Sequence, residues 1–181
     1  MVELDDFIQN KIQVGSFLLK RGALIRELDG LEENWHQFFH NIRYLTLEDL
    51  QDYFEEEDFY IEGALCIQIG KEKILSFKEW DLIDQLWSYF LRAFSEMTLN
   101  NLSHSEFYFP DQPLQVEIKK MNKNDIVVKV GNKSNTVSIL QFLPVFLNEA
   151  EFFFLKLSKI LGPSKYKEEL VMIEQLKSHL F

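Results

Sequence analysis

The stretch EFYFPDQPLQVEIKKMNKNDIVVKVGNKSNTVSIL, residues 106–140, decides the fold class. Leu114, Val116 and Ile118 alternate with Gln115, Glu117 and Lys119, the period of a half-buried strand. Ile126-Val-Val-Lys-Val130 and Thr136-Val-Ser-Ile-Leu140 read as two further strands. The links between them, Asn122–Asp125 and Gly131–Asn135, are too short for parallel crossovers. Residues 106–140 are therefore expected to form a three-stranded antiparallel meander. Upstream, Glu106–Phe109 is extended, and Pro110-Asp-Gln-Pro113 is a turn whose prolines fix φ and withhold two N–H donors.

Helical periodicity flanks the meander. Ser76-Phe-Lys-Glu79 is a capping box, and Trp80, Ile83, Leu86 or Trp87, Phe90, Phe94 and Met97 follow as one stripe, which predicts a helix over 77–97. After the meander, Pro144 suits a first turn, and Phe146, Ala150, Phe153 or Phe154, Leu157 and Leu161 predict a helix over 145–161. Gly162-Pro163 ends it, and Ser164 is expected to cap a last helix. The two long helices should cover one face of the meander and bury Phe90, Phe94, Phe153 and Leu157. Ala64–Ile69, the turn Gly70–Lys73 and Ile74-Leu75 make a small hairpin.

The N-terminal region reads as mostly helical. Leu4, Phe7, Ile8 and Ile12 place a short helix over 2–14. Ser16–Glu27 is either a helix weakened by Gly22 or two strands around Arg21-Gly22. Leu31–Ile42 reads as a helix, and Thr46 with Asp49 starts another that ends near Phe54. The fold class is therefore α+β: an antiparallel β-meander over about 106–140 and a small hairpin, packed against several amphipathic helices. Residues 1–181 are expected to form a single domain, with the helical residues 1–60 allowed as a separate layer.

Composition narrows the class of protein. The 181 residues include 17 Phe, ample for a core, against 7 Gly and 4 Pro, too few for a disordered or collagenous chain. The single cysteine, Cys66, excludes an internal disulfide scaffold. The acidic start MVELDDFIQNK is unlike a signal or transit peptide, and no apolar run reaches membrane-spanning length. A cytoplasmic protein without a membrane partner is expected.

Charge gives the one functional signal. The chain carries 29 acidic and 19 basic residues, a net charge of −10. Residues 1–100 hold 20 acids and 9 bases, so the excess lies in the first half. Residues 48–62 alone hold eight carboxylates and no Lys or Arg. Such a field repels nucleic acid and attracts a cationic protein. The candidate partner-binding residues are Glu48, Asp49, Asp52, Tyr53, Glu55, Glu56, Glu57, Asp58, Phe59, Tyr60 and Glu62: acids to steer, rings to supply affinity. The competing reading is a solvated helix end and loop, with the rings facing inward.

No catalytic constellation emerges, and no catalytic residue, metal or cofactor is assigned. His36 and His40 have the i, i+4 spacing that shares a metal on a helix, but residue 37 is Gln, so the zinc-protease motif is absent. An enzyme with a metal or acid–base site near them is the alternative function. A third reading is self-association through Trp80, Trp87 and Tyr89. Cys66 lies in an alternating strand with acidic surroundings, the setting of an inert thiol. Ser103-His104-Ser105 lacks the G-x-S-x-G elbow, and no glycine-rich phosphate loop occurs. Lys119, Lys120, Lys123, Lys129 and Lys133 read as protection of sheet edges rather than a nucleic-acid surface.

The order Thr46-Leu-Glu-Asp-Leu50, hairpin, Leu86-Trp-Ser-Tyr-Phe-Leu91, Phe109-Pro-Asp-Gln-Pro113 and alternating strand resembles small bacterial proteins of the toxin-immunity type. The resemblance covers roughly residues 42–140 and rests on order rather than on a specific motif. It implies a non-enzymatic cytoplasmic inhibitor that neutralises a basic toxin domain by direct contact, and it carries over no individual functional residue.

Overall fold

The computed structural model describes residues 12–54 and 60–180. In chain order the elements are β1 (Ile12–Leu19), α1 (Trp35–Phe38), β2 (Phe39–Asn41), α2 (Leu47–Tyr53), β3 (Glu62–Ile69) and β4 (Glu72–Leu75). A 3₁₀ turn (Phe77–Glu79) leads to β5 (Asp81–Leu82) and α3 (Ile83–Thr98). Then come β6 (His104–Tyr108), β7 (Gln115–Lys120), β8 (Asp125–Val130), β9 (Lys133–Ser138), α4 (Ile139–Leu161) and α5 (Lys167–Leu180). The fold is α+β with two antiparallel sheets: β2-β1-β3-β4, with β5 also on β3, and the meander β6-β7-β8-β9.

The meander has four strands rather than three. His104–Tyr108 pairs with β7 from His104↔Lys119 to Tyr108↔Gln115, because Ser105 and Phe107 bring inward-facing groups to the same face as Val116 and Ile118. Its last strand ends at Ser138, and Ile139 and Leu140 already belong to α4. That helix starts six residues before the expected 145, with Pro144 inside it. The proline's missing N–H would have bonded Leu140, an exposed residue.

α3 packs on β3 and β6, α4 on β1 and β9, and α5 on both α3 and α4. The helices thus bridge the two sheets, and one core runs beneath them. Phe90, Phe94, Phe153 and Leu157 are all fully buried, as the stripes require. Phe146 is the centre of the ring packing, 4.7 Å from Trp87, 5.1 Å from Phe94 and 5.7 Å from Phe90.

Several local expectations are corrected. Ile12–Val14, expected in a helix, are strand: Ile12↔Ile69 and Val14↔Ile67 are register partners on β3. The rest of that expected helix, residues 2–11, lies outside the described residues. The described residues 12–54 are thus strand, turn and irregular chain with only the short helices α1 and α2. Gly63 permits the β1–β3 pairing, since a Cβ there would stand 2.2 Å from the Phe17 carbonyl oxygen. Ser16–Glu27 takes neither reading whole: strand to Leu19, a turn at Arg21-Gly22, then irregular chain.

Leu31–Ile42 is helical only over Trp35–Phe38. Its apolar residues serve two cores: Leu31 and Phe39 enter a satellite cluster with Leu19, Ala64 and Phe77, while Ile42 enters the main one. No single helix face can do both. The Ser76 box forms, with Ser76 N–H donating to Glu79 Oε2 at 2.9 Å, but it caps only the 3₁₀ turn. The chain then extends so that Trp80 joins the satellite cluster and Asp81 is buried. The Asp81 carboxylate accepts the N–H groups of Asp111 at 3.2 Å and Gln112 at 3.1 Å and so holds the Pro110–Pro113 turn. The last helix begins at Lys167 rather than after a Ser164 cap, because Tyr166 turns inward and donates its hydroxyl to Asp84 at 3.0 Å.

Candidate functional site

The acidic segment is built around α2. Thr46 Oγ1 accepts the Asp49 N–H at 3.1 Å, and the Asp49 carboxylate accepts the Thr46 N–H at 2.6 Å. These bonds to Thr46 hold the Asp49 carboxyl below its ordinary range. Asp49 is therefore a cap first. Leu50 anchors the helix in the core, and Glu48 and Asp52, four residues apart, share its exposed side. Tyr53 and Phe54 pack against the core, ring centroids 4.9 Å apart, and the Tyr53 hydroxyl donates to the Leu19 carbonyl at 2.8 Å. For these two rings the inward-facing reading holds.

Tyr60 is 68 % exposed, and Glu62 beside it is exposed on β3. Glu55, Glu56, Glu57, Asp58 and Phe59 lie outside the described residues. Tyr53, Tyr60 and Glu62 border a cleft of about 530 Å³ that also takes in Lys20, Arg21, Leu82 and Asp111. The Arg21 guanidinium donates to the Asp52 carbonyl at 3.1 Å and ties α2 to this cleft. Sequence reasoning missed these cations, because they come from the turn that follows β1, some thirty residues away. On the other flank, Lys156 and His40 lie close enough to Asp49 to favour its charge. Glu48, Asp52 and Glu62 make no ion pair among the described residues.

The remaining candidates separate. His36 is in α1 and His40 in β2, so the helical i, i+4 relation needed to share a metal does not exist. Partial burial and the nearby Lys20 ammonium push the His40 imidazole below its ordinary value. Among the described residues no three His, Cys, Asp or Glu side chains gather as a metal site would require. In Ser103-His104-Ser105, strand alternation turns the Ser105 hydroxyl inward to Glu96 at 2.7 Å. The His104 imidazole stays on the solvent face, 3.4 Å from Glu117. Lys119, Lys120 and Lys129 sit on the inner strands β7 and β8, so they are not edge guards, and Lys133 pairs with Glu79 at 2.6 Å. Trp87 is fully buried and Trp80 and Tyr89 partly so, so these rings do not form an open aromatic surface. Burial, with Glu32 and Glu79 nearby, pushes the Cys66 thiol far up.

No family model, curated protein or solved structure matches this chain. Among the described residues no helix is long and apolar enough to cross a membrane.

A residue the sequence did not single out turns out to organise this side of the molecule. Glu149 of α4 is 2 % exposed; it accepts the Ser16 N–H at 3.1 Å and pairs with Arg43. Trp87 donates its indole N–H to Ser16 Oγ at 3.2 Å. Arg43 lies over the Phe152 ring at 4.6 Å, and the Lys156 ammonium donates to the Ile42 carbonyl at 2.6 Å. The network fixes the chain leading into α2 against β1 and α4. Its sequence signal was an acid, one of two, inside an apolar helix.

Proposed function

We propose that this protein is a non-enzymatic acidic binding protein, an immunity-type inhibitor that neutralises a cationic toxin domain by direct contact in the cytoplasm. The observation that carries the reading is the exposed set Glu48, Asp52 and Glu62, without an ion pair among the described residues, beside the exposed Tyr60 ring. Those residues frame residues 55–59, which add four carboxylates and Phe59 to the segment. Exposed carboxylates project their field toward an approaching cation, and an aromatic ring among them supplies desolvated contact area. The network behind α2 ties the chain leading into Glu48 and Asp52 to β1 and α4, which lowers the cost of ordering those two residues for a partner. The cleft cations Lys20 and Arg21 limit the acidic surface on one side and so set where a basic partner would end.

The test is co-expression with a candidate basic toxin domain, sought first among the genes beside this one. The wild-type chain is expected to restore growth, and a variant neutralised at Glu48, Asp52, Glu55, Glu56, Glu57, Asp58 and Glu62 is expected to lose protection while remaining folded. Full protection by the neutralised variant, or no protection by the wild type, would overturn the reading.

A further inference from the structure

The satellite cluster covers only a portion of the outer face of the first sheet. Beside it lies a hollow of about 270 Å³. Gly15 and Cys66 form its floor, and they are register partners on β1 and β3. Gly15 keeps the floor low: a Cβ there would stand 3.1 Å from the Phe17 ring. The wall is aromatic. Phe17 and Phe77 meet edge to face at 4.8 Å, and Trp35 stacks behind Phe77 at 5.2 Å with the planes within 3°.

The rim is polar yet electrically closed. Lys73 pairs with Glu32 at 2.7 Å, and each holds the other's charge: the Lys73 pKa is raised by that bond, and the Glu32 pKa lowered despite partial burial. Arg43 is taken by Glu149. The high pKa of Cys66 keeps the floor neutral. Neutral hydrogen-bonding capacity remains open. The Gln13 side chain makes no hydrogen bond among the described residues, and the side chain of Gln68, its register partner, uses only an N–H, donating to the Gly70 carbonyl at 2.9 Å. Asn41 uses only its oxygen, which accepts the Arg43 N–H at 2.9 Å.

From the aromatic wall, the small floor and the uncharged amide rim, we infer that this hollow binds a neutral, planar heteroaromatic molecule of one or two fused rings. A charged ligand would find no free counter-charge, and its desolvation would go uncompensated. A larger ligand would exceed the volume, which lies just below the range of drug-sized pockets at roughly 300–1,000 Å³. The flat ring would continue the Phe17–Phe77–Trp35 packing across the floor, with its heteroatoms facing the Gln13, Gln68 and Asn41 amides.

The probes are indole, benzimidazole and adenine, with benzoate and benzylammonium as charged comparators, each mixed with the full chain and followed by saturation-transfer NMR. At least one neutral ring is expected to bind with a dissociation constant of about 0.1–1 mM, as its small size dictates. Its protons should show Overhauser contacts to the Phe17 and Phe77 rings. Cys66→Phe, which fills the floor, should weaken binding at least tenfold. Gln13→Ala, at the exposed mouth, should weaken it about threefold without disturbing the fold. Absence of binding by every neutral probe at millimolar concentration would overturn the proposal, as would equal binding of the charged rings or Overhauser contacts to other residues. If Cys66→Phe does not fold, the Gln13→Ala affinity and the wild-type contacts decide.

Discussion

Removing Arg43, a half-exposed residue, should cost more stability than neutralising its fully buried partner. The Arg43 side chain is 50 % exposed and Glu149 only 2 % exposed. Arg43→Met gives up the guanidinium over Phe152, and the Glu149 carboxylate loses its counter-charge while still buried. Stranding a buried charge costs about 3–5 kcal/mol, and the retained Ser16 N–H bond places this variant near the low end, about 3 kcal/mol. Glu149→Gln keeps an oxygen for the Ser16 N–H, and the freed guanidinium turns to water, for about 1 kcal/mol. Glu149→Leu also orphans the Ser16 N–H on a fully buried residue, for about 2–4 kcal/mol. The double variant Arg43→Met/Glu149→Gln should fall well below the sum of the singles. Urea unfolding followed by circular dichroism measures all four, and melting should shift by about 2–4 °C per kcal/mol at this length. An Arg43→Met cost below about 0.5 kcal/mol, or Glu149→Gln as damaging as Glu149→Leu, would refute the reasoning.

Three further outcomes are expected. Burial raises the Asp84 pKa, so the folded state holds its proton more tightly than the unfolded chain. Wild-type stability relative to Asp84→Asn should therefore fall as pH rises from the ordinary aspartate value through the raised one and stay level above it; unfolding curves from pH 3 to 8 that show the opposite slope would contradict this. Gly63→Ala places a methyl against the Phe17 carbonyl and should destabilise by about 2–3 kcal/mol, read by urea midpoint. Thr46→Ala removes the α2 cap and should cost about 1 kcal/mol, and a change within error would mean that the cap carries no stability.

The sequence disclosed those elements whose apolar residues face one way. The meander strands, the α3 stripe from Ile83 to Met97 and the Thr46 box are local patterns that the fold keeps. It misled where neighbouring residues serve different cores. Leu31, Phe39 and Ile42 imitate a helical stripe yet divide between the satellite and main clusters. Ser76–Glu79 satisfies its box in one turn because Trp80 and Asp81 are wanted elsewhere. The acidic candidate surface was legible as charge, whereas its boundary was not. Asp49 and Tyr53 are drawn into structural bonds, and Lys20 and Arg21 arrive from the turn after β1. The hollow over Gly15 and Cys66 depends on β1–β3 register, which no local pattern states.

The central claim is that the carboxylates of 48–62 receive a cationic protein. The most direct measurement is stopped-flow association with a candidate basic toxin domain at low and moderate salt, for the wild type and for the variant with Glu48, Asp52, Glu55, Glu56, Glu57, Asp58 and Glu62 made neutral. A steered encounter predicts an association rate at least about tenfold slower for the variant at low salt, with a flattened salt dependence. Unchanged rate and salt slope in a folded variant would place the partner elsewhere and leave this segment a solvated face.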